Sequence, residues 1–451
     1  MYLIIVAVFV LGYAAIALEH TIKINKTASA ILTGVLCWTL FMFAPDDSVI
    51  MKSQEYNTFL NAQPSEIIAA ATTHDLHKEF VGFSLQHHLG EITQILFFLM
   101  GAMTIVELVD AHQGFRLITD RISTTNPRTL LWLVSWIAFV LSSILDNLTT
   151  TIVMVSLIRK LVPSGGGRLM FASMIVIAAN AGGAWTPIGD VTTTMLWIGG
   201  QITTLNIMKT LFVPSVACTI IPLMIIGKQM TGLRLSPTAN DAAEKVASSK
   251  IMLLLGVGAL VFVPVFKTVT HLPPYCGILF GLGILWIVSE IINPEIDEQE
   301  KKRYSVAGAL SRIDVSSVLF FLGILMAVAA LESMQLLHAF AAFLDSTFGD
   351  LRVIVTLIGV LSAIVDNVPL VAASMGMYDM NIYPADSMVW EYLAYCAGTG
   401  GSILIIGSAA GVAAMGMEKI DFMWYAKRIS LIALAGYAAG AIVYILMWAG
   451  S

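Results

Sequence analysis

Three aspartates stand where a hydrophobic chain has least use for charge. Asp146 and Asp366 each precede an asparagine inside long apolar stretches, 129–162 and 352–377, and Asp190 closes the run Gly182-Gly-Ala-Trp-Thr-Pro-Ile-Gly-Asp190. No lysine or arginine lies near any of the three in the sequence. A carboxylate taken out of water without a counter-charge must hold a proton or a cation. The neighbouring side chains suit a hard cation that seeks oxygen ligands. Asn147, Thr149, Thr150, Thr192 and Thr193 supply them in the first half, and Asn367, Thr399, Ser402 and Ser408 in the second. Asn180 is placed to bridge one loop to the tip around Asp146, and Ser142 and Ser362 stand four residues before the paired aspartates. Simpler roles compete. An aspartate at a helix start can merely cap it, which applies most to Asp190 after Pro187 and Gly189. Ser142 and Ser362 can bond back to their own helices. Glu107 and Glu332 lie near the ends of apolar runs and are lesser ion-site candidates, better suited to snorkelling or packing. His112 and His338 fall in amphipathic stretches and read as surface groups.

The elements that position these residues follow from composition. Of 451 residues, 57% are hydrophobic and only 12% charged, with a mean hydropathy of +0.84. That excludes a disordered chain and a water-soluble enzyme, and a net charge of −6 leaves no footprint for nucleic acid. An all-α polytopic membrane protein remains. Spans of about 20 apolar residues fall at 2–18, 28–44, 92–110, 169–200, 209–227, 251–268, 274–292, 316–333, 387–415 and 428–448. The first lacks a basic lead and reads as a retained span rather than a signal peptide. The stretches 129–162 and 352–377 are too polar at their centres to span and read as re-entrant helical hairpins. Segments 169–200 and 387–415 read as broken helices, interrupted at Asn-Ala-Gly-Gly (180–183) and Gly-Thr-Gly-Gly-Ser (398–402). Residues 45–90 read as a long acidic outer loop of surface-helical character. With both termini outside, all 24 basic residues except Lys52, Lys78, Lys209, Lys267 and Arg352 fall on the cytoplasmic side. Cys37, Cys218, Cys276 and Cys396 sit in apolar runs and read as free core thiols.

The halves echo each other. Ser142-Ser-Ile-Leu-Asp146-Asn147-Leu matches Ser362-Ala-Ile-Val-Asp366-Asn367-Val, and Gly182–Asp190 matches Gly400–Ser408. Each half holds five spans and one hairpin, and an odd number inverts the second half. The expected plan is an inverted repeat: 1–228, a polar cytoplasmic linker 229–250, and 251–451. Transporters built this way place ion sites at broken helices. The expected chemistry is competition between a proton and sodium for the same aspartates, with no cofactor.

At these motifs the chain resembles the NhaD-type sodium/proton antiporters of the ion transporter superfamily. The resemblance runs through nearly the whole chain, including Ala-Leu-Glu-His-Thr-Ile-Lys-Ile-Asn-Lys-Thr (17–27) and Gly-Ala-Met-Thr-Ile-Val-Glu-Leu-Val-Asp-Ala-His (101–112). Its most specific parts are Ser-Ile-Leu-Asp-Asn-Leu-Thr-Thr (143–150) and Ala-Asn-Ala-Gly-Gly-Ala-Trp-Thr-Pro-Ile-Gly-Asp (179–190). It implies a homodimer, a scaffold and a transport subdomain, and elevator-like exchange of cytoplasmic Na+, with Li+ a second substrate, for external H+. It further implies a bacterial inner (plasma) membrane and roles for Ser142, Asp146, Asn147, Asn180, Asp190, Ser362, Asp366 and Asn367. Related sodium/dicarboxylate symporters carry Ser-Asn-Thr at the hairpin tips, whereas Asp146 and Asp366 would repel an anion. Arsenite exporters share the Thr-Pro-Ile-Gly pattern and are a closer rival. An intramembrane aspartyl protease would also use two buried aspartates, but the hairpin pair and the repeat disfavour it.

Overall fold

The computed structural model describes residues 2–45, 49–63, 73–119, 122, 124, 126–230, 248–292 and 304–449. Among these the regular structure is helical, without strands. The main helices of the first half are α1 (Tyr2–Ala17), α2 (Lys26–Met42), α3 (Gln54–Ala62), α4 (Thr73–Ala111), α5 (Pro127–Ser142), α6 (Asn147–Leu161), α7 (Gly166–Gly183), α8 (Val191–Ile198) and α9 (Thr204–Gln229). They continue with α10 (Ser249–Thr270), α11 (Pro274–Ile292), α12 (Val315–Ser333), α13 (Leu336–Phe348), α14 (Leu351–Leu361), α15 (Asn367–Met377), α16 (Met388–Gly400), α17 (Ala409–Glu418) and α18 (Ser430–Ala449). Six of the described helices are long and apolar enough to cross a membrane. The chain is a multi-pass membrane protein.

The helices gather into two compact units, and neither follows the sequence halves. One comprises Met1–Leu96, Asp314–Ile354 and Val368–Tyr383; the other comprises Phe97–Ile313, Val355–Asn367 and Pro384–Ser451. Of the linker 229–250, residues 231–247 lie outside the described residues.

In the first unit, α2 and α12 cross at Gly34 and Gly323. A Cβ on Gly34 would lie 2.5 Å from the Gly323 carbonyl oxygen, so only glycine permits this approach. The Trp38 indole N–H donates to the Met326 carbonyl at 2.8 Å, locking the same crossing. The described part of 45–90 is largely helical, as expected, but its end is neither a loop nor wholly on the surface. Gln54–Ala62 is a helix, and from Thr73 the chain is already in α4, which runs unbroken far beyond the expected 92–110. Histidines, acids and Lys78 dilute the hydropathy of 74–91. Yet Phe80, Val81, Ser84 and His88 share one helical face and are buried. Phe80 meets the rings of Tyr56 and Phe59 at 5.1 and 5.7 Å.

The second unit holds both Asp-Asn breaks. Helix α5 starts with Pro127 at its first turn, and Asn126 caps it at 3.0 and 3.3 Å. Helices α5 and α6 flank the Asp-Asn break of 129–162, and α14 and α15 that of 352–377. The expected breaks move. Helix α7 continues through 180–183 and α16 through 398–400, and the irregular segments are 184–190 and 401–408. The glycines serve close packing rather than unwinding. A Cβ on Gly182 would overlap the Phe139 carbonyl oxygen, and one on Gly400 the Gly359 carbonyl oxygen. At one end of this unit Glu418 is buried and accepts from Arg159 Nε at 2.8 Å and Arg168 Nε at 2.7 Å. This ties α6, α7 and α17 together. The four cysteines are free thiols, three of them buried. His338 is exposed as expected, whereas His112 is fully buried. A hydropathy pattern sees the polar ring but not the three partners that bury it.

Candidate functional site

The hairpin α5–α6 turns at 143–146, and Asp146 caps the arm that follows. Its Oδ1 accepts from the Thr149 backbone N–H at 2.7 Å, and its Oδ2 from Thr149 Oγ1 at 2.7 Å. Asp190 caps α8 in the same way, with Oδ1 accepting from the Thr192 N–H and hydroxyl, each at 2.9 Å. Capping is therefore real at both positions, but it leaves the charge unexplained, since asparagine or serine caps as well. Asp190 is only 2% exposed. Its Oδ2 accepts from Asn147 Nδ2 at 2.6 Å.

From that bond a buried ladder of amides leads across the second unit. Asn147 Nδ2 also donates to Asn180 Oδ1 at 3.0 Å, the bridge expected of Asn180. Asn180 Nδ2 then donates to Ser402 Oγ at 2.8 Å and Ser408 Oγ at 2.9 Å. Hairpin tip, first break and second break are thus joined by side chains from both halves of the sequence. Ser408 in turn caps α17, accepting from the Gly411 N–H at 3.2 Å. Asp146 and Asp366 both lie within electrostatic reach of the Asp190 carboxyl.

The remaining candidates divide. Ser142 and Ser362 hold the scaffold of the site. Ser142 Oγ donates to the Ala179 carbonyl at 2.6 Å, not to its own helix, while Ser362 Oγ reaches both its own Gly359 and the Ala397 carbonyl, at 2.9 and 3.1 Å. Thr193 and Thr399 spend their hydroxyls on nearby carbonyls, of Asp190 and Tyr395. Glu107 pairs with Arg312 at 2.5 Å and is a packing group. Glu332 belongs to the first unit, where it lines a cavity of about 610 Å³ with Glu55, His88 and Glu91. Neither glutamate joins the ladder.

Three buried polar atoms at the hairpin arms lack any hydrogen-bond partner: Thr150 Oγ1, Thr151 Oγ1 and Asn367 Nδ2. Each such group left dry costs about 1–3 kcal/mol. Asn367 is the counterpart of Asn147, whose Nδ2 donates twice; the positions matching Asn180 and Asp190 in the second half are Gly398 and Ser408. Thr151 escaped the sequence reading because a threonine in an apolar helix ordinarily bonds back to its own turn. Glu391, fully buried and accepting from Asn206 and from the Tyr444 hydroxyl, also gave no pattern to read. Among the described residues no three His, Cys, Asp or Glu side chains converge to hold a metal ion. A cation here would draw most of its ligands from amides, hydroxyls and carbonyls.

The same contacts recur in the two halves. Gly182 packs on the Phe139 carbonyl and Gly189 on that of Ser142; Gly400 packs on the Gly359 carbonyl and Gly407 on that of Ser362. Serine to helix carbonyl, Ser142 to Ala179 and Ser362 to Ala397, follows the same rule.

Comparison with known proteins agrees with a transporter. The family described as Citrate transporter matches residues 3–392. Sodium/proton antiporter 1 of Arabidopsis thaliana is 51% identical over 97% of this chain and 71% of its own length. Sodium/proton antiporter 2 of the same plant is 45% identical over 97% of both. The Na(+)/H(+) antiporter NhaD of Vibrio cholerae is 28% identical over 98% of this chain and 90% of its own.

Proposed function

Because this chain belongs to the citrate-transporter family and, within it, with the NhaD-type sodium/proton antiporters, we propose that it exchanges cytoplasmic Na+, and Li+, for external H+. The observation that carries the reading is the aspartate at the head of a buried amide ladder: Asp190 accepts from Asn147 and Thr192 and, among the described residues, from no cation side chain. A buried carboxylate with no counter-charge must hold either a proton or a cation, so sodium and protons compete for it. At alkaline inner pH the carboxylates are ionised and take sodium; facing an acid exterior they take protons and release it. Asp146 and Asp366 add a carboxyl at each of the two Asp-Asn breaks. The unpartnered Thr150, Thr151 and Asn367 offer polar atoms whose burial an ion or its water would offset.

Recurrence of the glycine and serine contacts in both halves supports an inverted repeat with two re-entrant hairpins. All ladder residues lie inside one compact unit rather than at a seam. This favours a carried site, a transport subdomain moving against a scaffold as in an elevator, in a homodimer. The distribution of basic residues supports termini outside. The membrane is one that bears a proton gradient, the bacterial plasma membrane among them.

The family description favours a second reading, sodium-coupled citrate uptake. Asp146 and Asp366 at the tips oppose it, since each fixed charge near an anion costs about 4 kcal/mol at 4 Å and an effective dielectric near 20. Proteoliposomes with an internal pH dye separate the two. The antiport reading expects sodium and lithium, not potassium, to drive proton flux without citrate. Citrate-dependent sodium uptake with no such flux would replace it.

A further inference from the structure

One histidine outside the ion site ties three remote segments of the second unit. His112 follows α4 directly and is fully buried. Its Nδ1 lies 2.8 Å from Ser248 Oγ, and its Nε2 lies 3.2 Å from the Tyr304 carbonyl oxygen. The Tyr304 ring stands 5.1 Å from the imidazole, and the His112 carbonyl accepts from Ser249 Oγ at 2.6 Å. The turn that places the ring is tightly specified. Gln113 has φ 57°, and a Cβ on Gly114 would lie 2.7 Å from Val109 Cγ1 and 3.2 Å from Leu253 Cβ of α10.

The partners dictate the ring's protonation. A carbonyl only accepts, so Nε2 carries the hydrogen; Nδ1 then has none, and the Ser248 hydroxyl donates to it. A second proton at Nδ1 would reverse that bond and bury a positive charge. Among the described residues no carboxylate is recorded against the ring. On the ring's own helix Glu107 is held by Arg312 and Asp110 is exposed; in the turn Arg116 donates to Gln113; on α10 Lys250 is exposed; the 304–310 segment meets the ring with the Tyr304 carbonyl and the Tyr304 ring. Burial, only partly offset by that carbonyl, holds His112 below the ordinary histidine range.

We propose that His112 is a proton-operated clasp, closed when neutral, that joins the end of α4 to the start of α10 and to Tyr304 and releases them in acid. A depressed histidine favours the neutral, closed state. The clasp is therefore complete above the ordinary histidine value of about 6.5 and is lost as pH falls through the lowered value of the buried ring. If the antiport reading also holds, the clasp would close the transporter down in acid, but its test does not depend on that reading.

The test is amide hydrogen exchange on the full-length protein in nanodiscs from pH 5 to pH 8, corrected for intrinsic rates. Peptides covering 104–118, 248–262 and 304–312 should lose protection below about pH 6.5, by up to about tenfold per unit of pKa depression. The rest of the unit should not follow. H112Q should hold its protection through the series, because glutamine can donate to the Tyr304 carbonyl and accept from Ser248 without titrating. S248A should exchange faster already at pH 8. Uniform protection in the wild type, the same acid loss in H112Q, or unchanged exchange in S248A would each overturn the clasp. Sodium-driven proton flux is measured alongside: H112Q should extend it to lower pH. Hydrogen exchange as expected with no flux in either protein would remove the antiport reading alone.

Discussion

Replacing Asp146 by asparagine separates the two roles its geometry allows. The carboxylate makes two local bonds, to the Thr149 N–H and to the Thr149 hydroxyl, both at 2.7 Å. Asparagine keeps the first through Oδ1 and can donate to the hydroxyl in place of the second, since a hydroxyl accepts as readily as it donates. As helix caps the two residues are equivalent. The fold should therefore lose no more than about 0.5 kcal/mol, against about 1 kcal/mol for Asp146→Ala, which removes the cap. The ion should notice far more. Deleting a unit charge about 4 Å from a bound cation, at an effective dielectric near 20, forfeits about 4 kcal/mol. At 1.36 kcal/mol per decade that is roughly a thousandfold in sodium affinity. Thermal unfolding followed by tryptophan fluorescence reads the first quantity, and sodium-driven dequenching of a pH dye in proteoliposomes reads the second. Asp366→Asn should behave alike. Normal sodium-driven exchange in a well-folded Asp146→Asn would refute the role assigned to the charge.

The close approaches should fail in parallel: Gly182→Ala and Gly400→Ala should each cost about 1–3 kcal/mol of stability and lower exchange, because the new methyl meets a backbone carbonyl that cannot yield. Equal stability of either variant and the wild type in denaturation would contradict the packing account. Thr150→Val and Thr151→Val remove hydroxyls that have no partner. Stability should hold or rise by about 1 kcal/mol, while half-saturation for sodium in flux assays rises several-fold; unchanged sodium dependence would make the hydroxyls bystanders. Glu418→Gln should destabilise by roughly 2 kcal/mol by stranding Arg159 and Arg168, a cost discounted for their partial exposure, yet leave ion selectivity intact; a shift in the ratio of sodium to lithium flux would contradict that.

The candidate ion-site residues stand out in the sequence because a polar break in an apolar run has few other uses. Asp146-Asn147, Asp366-Asn367 and the glycine-rich segments all stand out by type alone, and the Asn180 bridge followed from its place before a break. What the sequence concealed depends on three-dimensional neighbours. Nothing in the pattern says that Asn180 reaches Ser402 and Ser408, more than 220 residues away. The glycines at 182 and 400 looked like helix breakers, yet the helices run through them, because the same missing Cβ that permits unwinding also permits two backbones to touch. The first half of α4 reads as a surface helix within a loop because its polar residues mask a single buried face. His112 looked like a surface group for the same reason.

The central claim is that sodium and protons compete for the same buried carboxylates. Equilibrium binding of radiolabelled sodium to the purified protein, repeated from pH 6 to pH 9, tests it without requiring transport. The account predicts that the apparent dissociation constant for sodium falls by up to about tenfold per pH unit as the carboxyls ionise and then levels off, with Asp146→Asn and Asp366→Asn binding sodium poorly throughout. A sodium affinity that stays constant across the whole range would contradict it.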